Sequence, residues 1–364
     1  MKRKLAPRHL TVALFAVLLF SLFLVQMLKP DGAVSDAERR PLEQKPTLSF
    51  ESISNGEYFE DYETYLLDQA VLRDAFRSIK ALSSYHLFFK KDNNDIYAYK
   101  GALYEILRTK ESSFERAGDK IESLSEKLAA LHCYYAIIPD KNALIATESK
   151  RPSISIKAAE AILDSRIESA RYLELTSVLS VEDYYRTDLH WRQERLLPIA
   201  EVLLLGMNND AVQYSYQKKT LYGFRGVYYG QSALMPKADE LCYLFSNELE
   251  NVTVVDLTTG KSVKLYDEEA FFDIDPYNLF VGGPRSLLKI TNPDVTNGKT
   301  LYLFRDSFAS SLSPLLLCGY SEIVLIDLRY IDSRALDSFV TFKEGQDVLF
   351  LYSTHILNES AMLR

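Results

Sequence analysis

The chain has 364 residues, of which 47% are hydrophobic and 25% charged, a composition ordinary for a globular protein. This excludes a wholly disordered chain and a multi-span membrane protein. The 50 acidic and 42 basic residues give a formal net charge of −8, which argues against a general nucleic-acid binder. The three cysteines and five histidines are scattered, and there is no glycine-rich phosphate loop. We therefore expect no disulfide framework, no metal site and no nucleotide cofactor.

The amino-terminal segment predicts a membrane helix. Lysines and arginines cluster in residues 1–9, and residues 10–28 form an uncharged apolar run. As a helix this run is about 28 Å long, close to the ~30 Å hydrocarbon core of a bilayer. We expect a signal-anchor over 10–28, with residues 1–9 in the cytoplasm and the rest of the chain outside the cell membrane. The alternatives are a cleaved signal peptide and a buried core helix.

Residues 29–56 are polar and interrupted by prolines, which predicts a stalk before a folded domain over 57–364. The first part of that domain alternates between helical and strand-like patterns. Helices are predicted over 58–86, 112–131, 156–171 and 192–206, and strands over 96–106, 134–140 and 173–181.

The middle of the domain differs from its last third. Residues 212–282 are rich in tyrosine, with short strand-like stretches such as GVYYG (226–230), which predicts an antiparallel β insertion. The last third has strands over 299–304, 322–328 and 347–353 and a helix over 307–318. Strands that alternate with helices predict an α/β fold, with a mainly parallel sheet between two layers of helices.

The segment YYRTDLHW (184–191) carries the first chemical signal. Asp188 stands two residues before His190, so in an extended segment both side chains point to the same side. A carboxylate in that place can fix the imidazole tautomer and leave Nε2 as a base. The pattern also arises by chance, and His190 is equally explained as a core histidine beside Trp191.

The segment LYLFRDSFASSL (301–312) carries the second signal. An apolar strand runs into Ser307 and then a helix of small residues, and ligand sites in α/β sheets form at the carboxyl ends of strands. Helix N–H groups near this serine can stabilise an oxyanion. The alternative is that Asp306 or Ser307 only caps the helix. Together the two segments supply a serine, a base and an orienting carboxylate.

Several segments resemble the DHHW-type proteins, which are similar to the SGNH-hydrolase-like proteins of alginate O-acetylation. These segments are AERRPL (37–42), the run over 55–76, TDLHW, YNLFVGG (277–283), KTLYLFRDSF and YSEIVLIDLRY (320–330). The resemblance implies an SGNH-hydrolase-like three-layer sandwich in which the motif order is permuted, with Asp-x-His before the serine. It also implies that Ser307 is the nucleophile, His190 its base and Asp188 the orienting carboxylate.

Three positions depart from the family's pattern. Leu189 replaces a histidine, and we expect its side chain to point away from the Asp–His pair. Arg305 replaces a glycine that is common before Asp-Ser. Pro284 follows two glycines where the family reads asparagine, and proline has no N–H to donate to an oxyanion. We expect Trp191 to pack beside the triad and Arg285 to be a substitute donor. The candidate oxyanion and substrate contacts are Gly282, Gly283, Arg285 and Trp191.

Two main functions fit these residues. The first is a membrane-anchored, extracytoplasmic acyl (acetyl) transferase or esterase that acts on a cell-surface polysaccharide. For this function the resemblance implies a membrane-bound O-acyltransferase as a partner. The second, favoured by Pro284, is a catalytically weak or inactive carbohydrate-binding or scaffold protein of an envelope polysaccharide system. A purely structural role in the envelope is the third alternative.

Overall fold

The computed structural model describes residues 7–35 and 37–364. They form two compact units. One contains the described residues up to Asn93 together with Ala233–Met235, and the other contains Asn94–Ser232 and Pro236–Arg364. Residues 57–93 therefore group with the amino-terminal helix, whereas the sequence analysis assigned them to the sheet domain. Most of the predicted cytoplasmic tail, residues 1–6, lies outside the described residues.

The first unit is mainly helical. Its helix α1 has 22 residues, a length of about 33 Å, and it is the one described helix long and apolar enough to cross a membrane. A π-helical turn, Ser83–Leu87, follows the last helix of the unit. The elements are α1 (Pro7–Leu28), β1 (Val34–Ser35), β2 (Arg40–Pro41), α2 (Phe50–Ser54), α3 (Glu57–Asp68) and α4 (Arg73–Leu82).

The segment predicted as a stalk is folded over part of its length. Arg40 donates to both carboxylate oxygens of Asp68 at 2.7 and 2.6 Å, and this bond lowers the pKa of Asp68 to about 2. Gln69 both accepts from the N–H and donates to the carbonyl of Gly32, at 2.8 and 2.9 Å. Gly32, Arg40 and Glu43 are thus hydrogen-bonded to Asp68 and Gln69 at the end of α3 instead of belonging to an extended stalk.

The second unit contains a large sheet and its covering helices. Its elements are β3 (Ile96–Tyr99), β4 (Ala102–Glu105), α5 (Glu111–Lys127), β5 (His132–Ile138), α6 (Lys141–Leu144), α7 (Ala146–Ser149), α8 (Ile156–Asp164), β6 (Arg171–Tyr172), α9 (Leu197–Gly206), β7 (Gln217–Phe224), α10 (Val227–Ser232), β8 (Asp239–Phe245), β9 (Thr253–Asp256), β10 (Ser262–Val263), β11 (Leu287–Thr291), β12 (Thr300–Arg305), α11 (Phe308–Leu316), β13 (Glu322–Ile326), β14 (Asp347–Ser353) and α12 (Thr354–Leu357).

The sheet has eight strands in the order β10-β9-β11-β13-β12-β14-β5-β6. The five strands from β13 to β6 run parallel, and β11, β9 and β10 extend the sheet with antiparallel pairings. Neighbouring side chains of a strand enter opposite apolar cores, as the two-residue period of a strand requires. On β12, Leu303 packs with residues of α9 and α11, and Phe304 packs with residues of α5 and α8. The predicted three-layer α/β sandwich with a mainly parallel sheet is confirmed.

The tyrosine-rich region is only partly a separate sheet. Strands β7 and β8 pair with each other as an antiparallel ribbon, whereas β9 and β10 join the edge of the large sheet. The predicted strand at 226–230 is wrong, because Val227–Ser232 form helix α10. Residues 173–181 are also not a strand, since Thr176–Val178 and Val181–Asp183 form short 3-10 helices after β6 and the rest is irregular. Tyrosine favours strands in general, but contacts to distant segments override that preference here.

Candidate active site

Ser307 lies where β12 ends and α11 begins. Its backbone is already helical, and its side chain makes no capping bond to the helix. Asp306 takes that role, since its Oδ1 accepts the N–H of Phe308 at 3.0 Å. Its Oδ2 accepts the N–H of Ser353 at the end of β14, at 2.7 Å. The capping alternative thus applies to Asp306, and the Ser307 hydroxyl is available for another partner.

That partner is His190, which connects Ser307 to Asp188. The distance between His190 Nε2 and Ser307 Oγ is 2.8 Å, and the distance between His190 Nδ1 and Asp188 Oδ1 is 2.6 Å. Asp188 is fully buried, and His190 is 7% exposed. The structure therefore brings together the three side chains that the sequence analysis selected, in the order needed to take a proton from the serine hydroxyl.

Backbone N–H groups hold the Asp188 carboxylate in place. Oδ1 also accepts the N–H of His190 at 2.9 Å, and Oδ2 accepts the N–H of Val227 at the start of α10, at 2.7 Å. Burying a carboxylate is costly unless donors replace its water. These bonds supply such donors and fix the plane of the carboxylate against the imidazole.

The side chain of Lys141 stabilises the loop that carries Asp188 and His190. It is fully buried, and its Nζ donates to the carbonyls of Asp188 at 2.6 Å and Tyr185 at 2.8 Å. The ammonium group also lies 4.9 Å from the ring centre of Tyr228. Burial lowers the pKa of Lys141 to about 8. The buried ammonium group of Lys141 thus orders the backbone that carries Asp188 and His190.

Residues of the tyrosine-rich region, 212–282, also hold this loop in place. Asp239 on β8 accepts from both the N–H and the hydroxyl of Thr187 at 2.7 Å. The Thr187 hydroxyl in turn accepts the N–H of Gly226 at 2.9 Å. A Cβ on Gly226 would lie 2.3 Å from the Thr187 carbonyl oxygen and 2.3 Å from the Asp188 Cβ, so this position has no room for a side chain. The region predicted as an insertion thus positions the Asp–His loop.

Aromatic rings fix the plane of the imidazole. The ring of Tyr277 stacks on His190 with 3.9 Å between centroids and 10° between planes, and Phe308 contacts His190 at 4.8 Å. The Tyr277 hydroxyl donates to Ser311 Oγ at 2.8 Å. Trp191 is fully buried, and its Nε1 donates to the Phe308 carbonyl at 2.9 Å and to Ser311 Oγ at 3.0 Å. These bonds tie the Asp–His loop to the helix that begins after Ser307.

Ser307 and His190 open onto a cavity of about 210 Å³, which we call the Ser307 cavity. A larger cavity of about 500 Å³ borders Lys141 and Tyr185 but includes neither Ser307 nor His190. The Ser307 cavity is therefore the space from which a ligand could reach the Ser307 hydroxyl. It is lined by His190, Asp275, Tyr277, Asn278, Gly283, Pro284, Arg305, Ser307, Ser310, Arg329 and Tyr330.

Of the four predicted oxyanion and substrate contacts, one lines the Ser307 cavity. Gly283 lines the Ser307 cavity, but Gly282, Arg285 and Trp191 do not. Arg285 donates to Asp256 Oδ2 at 3.1 Å and to the Gly282 carbonyl at 3.3 Å, so the guanidinium is turned to these partners. Trp191 is buried with its N–H bonded to the helix backbone. Arg285 and Trp191 therefore bond to other protein groups, and a direct contact of either with substrate stays a prediction.

Sequence reasoning missed several residues that shape the site. Lys141 and Val227 act on Asp188 from positions 47 and 39 residues away in the chain. Tyr277 and Asn278 lie within the YNLFVGG segment, so their position before the two glycines was a usable signal for Asn278 in the cavity wall. Leu189 packs against the apolar core, in line with the expectation that it points away from the pair. Among residues 7–35 and 37–364, no three His, Cys, Asp or Glu side chains are grouped to hold a metal ion.

Comparisons with known proteins agree on family and fold. A family model described as DHHW protein matches residues 132–326. A search of curated proteins returned no match. A DHHW family protein from Eubacterium siraeum DSM 15702 aligns with a TM-score of 0.56 and 18% identity, over 73% of this chain and 93% of that one. PatB1 from Bacillus cereus aligns with a TM-score of 0.58 and 18% identity, over 72% and 96% of the two chains.

Two further solved structures also match this chain. A second PatB1 structure, with a sulfonyl adduct, aligns with a TM-score of 0.57. The O-acetyltransferase domain of AlgJ from Pseudomonas putida aligns with a TM-score of 0.42 and 13% identity, over 72% and 92% of the chains, a likeness too low to support an argument. At these identities the structural likeness concerns the fold. The family match covers more than half of the chain and includes TDLHW and most of the strands beside Ser307, so this protein belongs to the DHHW family.

Proposed function

We propose that the protein is a serine acyl transferase or esterase in which Ser307 is the nucleophile, His190 the base and Asp188 its orienting carboxylate. One observation carries the proposal: the continuous hydrogen-bond chain from Asp188 through His190 to Ser307, with distances of 2.6 and 2.8 Å, at the mouth of a cavity. A fold similar to PatB1, of which a sulfonyl adduct has been solved, supports it, because sulfonyl reagents add to activated nucleophiles.

The reaction follows from the order of the three side chains. Ser307 Oγ forms a bond to the acyl carbonyl carbon while its proton passes to His190 Nε2, and the carbonyl π pair moves onto oxygen. The pair returns, the bond to the leaving alkoxide breaks, and that alkoxide takes the proton from His190. A hydroxyl of the acceptor, or water, then attacks the acyl-serine and gives its proton to His190. Ser307 leaves and recovers its proton, so atoms and charge balance.

The acyl group and the acceptor follow from the family resemblance. We propose that the acyl group is acetyl and the acceptor a cell-surface polysaccharide, with a membrane-bound O-acyltransferase as the source of acetyl. The small Ser307 cavity is compatible with an acetyl group beside the nucleophile. Helix α1, with its length of about 33 Å, supports an anchor in the cell membrane, with the second unit outside the cytoplasm.

Pro284 favours a second candidate function. It lines the Ser307 cavity where the family reads asparagine, and it has neither an N–H nor a side-chain donor. Loss of one oxyanion donor typically reduces the rate by about 10²–10³. The second candidate is therefore a catalytically weak or inactive carbohydrate-binding or scaffold protein with the same fold.

The test uses the full chain in detergent. We expect hydrolysis of p-nitrophenyl acetate, and loss of at least about 10³ in kcat/KM for Ser307→Ala and His190→Ala. A sulfonyl fluoride should add one sulfonyl group to Ser307, detected by mass spectrometry, and not to the S307A variant. The matched control is Ser313→Ala, because Ser313 is buried on the same helix and bonds to the Ser310 carbonyl. It should keep its rate within about twofold, a change within the usual range for a conservative substitution outside a site.

The outcomes separate the two candidates. If S307A retains the full rate of the parent, the triad assignment is wrong. If the parent neither hydrolyses the ester nor takes up the sulfonyl group, yet binds an envelope polysaccharide, the binding protein is the better description.

A further inference from the structure

Arg305 is a fully buried cation beside the nucleophile, and part of its guanidinium has no partner. The residue is 1% exposed. Its Nη1 donates to Ser310 Oγ at 2.8 Å and to the Asp306 carbonyl at 3.3 Å. Its Nε and Nη2 have no hydrogen-bond acceptor in the described part of the chain. Buried polar groups are rarely left in this state, so these two N–H groups call for a specific reason.

The nearest carboxylates are already committed to other donors. Asp327 accepts two bonds from the guanidinium of Arg329, at 2.8 and 2.6 Å. Both carboxylate oxygens of Asp306 accept backbone N–H groups. Buried arginines are normally matched by a carboxylate in a two-bond pair, and within the described residues Arg305 has no such pair. Burial lowers the pKa of Arg305, but an arginine remains charged in a protein.

Arg305 and Ser307 line the same cavity. Arg305, Arg329, His190 and Ser307 all line the Ser307 cavity, whose single acidic lining residue, Asp275, accepts the N–H of Tyr277 at 3.1 Å. Arg305 lines this cavity, and its Nε and Nη2 atoms each expose less than 1 Å² to solvent, so both N–H groups are shielded from bulk water. Away from bulk water, attraction between such a cation and an anion is strong.

We propose that Arg305 is the anion-binding group of the Ser307 cavity, taking a negatively charged oxygen on a small acyl group. In the free enzyme this oxygen belongs to a small carboxylate such as acetate. In the reaction, and here the inference rests on the proposed function, it is the oxygen that gains the carbonyl π pair when Ser307 attacks. Arg305 donates hydrogen bonds to this oxygen and keeps its protons. The pair returns to the carbonyl when the leaving alkoxide departs.

This assignment supplies a donor that the sequence around Pro284 does not. A guanidinium presents several N–H groups in a fixed plane, and two of those of Arg305 are uncommitted. Because charge on the oxygen develops only as Ser307 attacks, the interaction lowers the barrier to the chemical step more than it strengthens substrate binding. A residue with only a structural role would not separate these two effects.

The first experiment measures p-nitrophenyl acetate hydrolysis by the full chain in detergent. For Arg305→Met we expect kcat to fall by about 10²–10³ with KM within about threefold. For Arg305→Lys we expect a smaller loss, because the charge remains while the planar fork is lost. The control is Arg166→Met, since Arg166 pairs with Glu115 and Asp119 on helix α5 and does not line the cavity. The inference is overturned if R305M and R305K both keep kcat within about threefold of the parent.

The second experiment gives a readout that needs no activity. Trifluoroacetate is titrated into the full-length S307A variant and followed by ¹⁹F NMR, and the same is done with R305M and R305K added to that background. We expect saturable binding that is lost in R305M and weakened in R305K, with thermal unfolding recorded for each variant. Binding equal in all three proteins overturns the inference. If the parent hydrolyses no ester while trifluoroacetate binding still depends on Arg305, the proposed function fails and the inference stands.

Discussion

Replacing Lys141 by methionine separates the stability of the fold from the positioning of the loop that carries Asp188 and His190. The side chain keeps a similar volume, but the ammonium group is lost. In the parent, Nζ donates to the carbonyls of Asp188 and Tyr185 at 2.6 and 2.8 Å. Its pKa of about 8 lies below the ordinary 10.5 because the charge is buried. The variant thus removes these two hydrogen bonds and, at the same time, the free-energy cost of burying the ammonium charge.

The two effects on the free energy of unfolding nearly offset each other. Leaving a buried carbonyl without a donor costs about 1–3 kcal/mol each. A pKa lowered from 10.5 to about 8 corresponds to about 3 kcal/mol that the parent loses by burying the ammonium group. Two unpaired carbonyls less this burial cost give about −1 to +3 kcal/mol, so we expect Lys141→Met to destabilise the fold at pH 7 by no more than about 3 kcal/mol. The loop that carries His190 loses its support, and a displacement of about 1 Å can reduce a rate about 10²-fold.

Chemical unfolding and ester hydrolysis of the same preparations test this reasoning. Lys120→Met is the matched control, because Lys120 Nζ also donates to a side chain, Ser333 Oγ at 2.7 Å, but on the opposite face of the sheet. Because the folded pKa of Lys141 lies below the unfolded one, the parent should gain stability relative to the variant as pH rises from about 8 to about 10.5. If K141M retains activity within about threefold, the loop does not depend on this cation. If it loses more than about 5 kcal/mol, the offset is wrong, since that exceeds the sum expected from two unpaired carbonyls less the burial cost.

Substitutions at three further positions test the surroundings of the triad. Gly226→Ala places a methyl group 2.3 Å from the Thr187 carbonyl, so overpacking should cost about 1–3 kcal/mol in unfolding and kcat should fall more than tenfold, whereas full activity would show that α10 can shift freely. Tyr277→Phe should keep most activity and Tyr277→Leu should lose it, because stacking on His190 depends on the ring; equal rates would contradict this. Asp140 is fully buried, and burial raises its pKa to about 6. The parent should therefore lose up to about 3 kcal/mol relative to Asp140→Asn as pH rises from about 4 to about 6, and melting curves that stay parallel over this range would refute the shift.

The fold was predictable because its central strands have continuous apolar sequences. Strands β5, β12 and β14 match the predicted runs closely, since parallel strands covered on both faces need apolar residues at every position. The helix after Ser307 was predictable for the same reason, from an apolar segment that follows a strand. The boundary of the amino-terminal unit was not predictable. It depends on bonds from the backbone N–H groups of Gly32 and Glu43 to the side chains of Gln69 and Asp68, which lie 37 and 25 residues further along the chain. A local pattern of hydrophobic residues contains no record of such bonds.

The juxtaposition of Asp188, His190 and Ser307 was predictable, but the residues that hold them in place were not. Asp188 and His190 lie two residues apart, and Ser307 follows a strand end, so each carries a local signal. Val227 contributes only a backbone N–H, which no side-chain pattern can identify. Lys141 reads as an ordinary polar residue after a strand, and only its burial shows what it does. Supports of this kind are chosen by geometry between distant segments rather than by residue type.

The two candidate functions differ in the donors of the Ser307 cavity and not in the triad. Asp188 is buried with three N–H donors, so the chain of bonds that ends at Ser307 is complete. What a serine enzyme needs beyond it is a group that takes the charge of the oxyanion, and Pro284 supplies none. A serine that is well positioned without such a group would attack slowly, which is the behaviour of a binding remnant. If Arg305 supplies the charge, the departure at position 284 and acyl transfer are compatible, because a guanidinium can replace an amide as the donor. The effect of Arg305 on kcat, measured apart from its effect on KM, therefore decides whether Arg305 is the donor that compensates for Pro284.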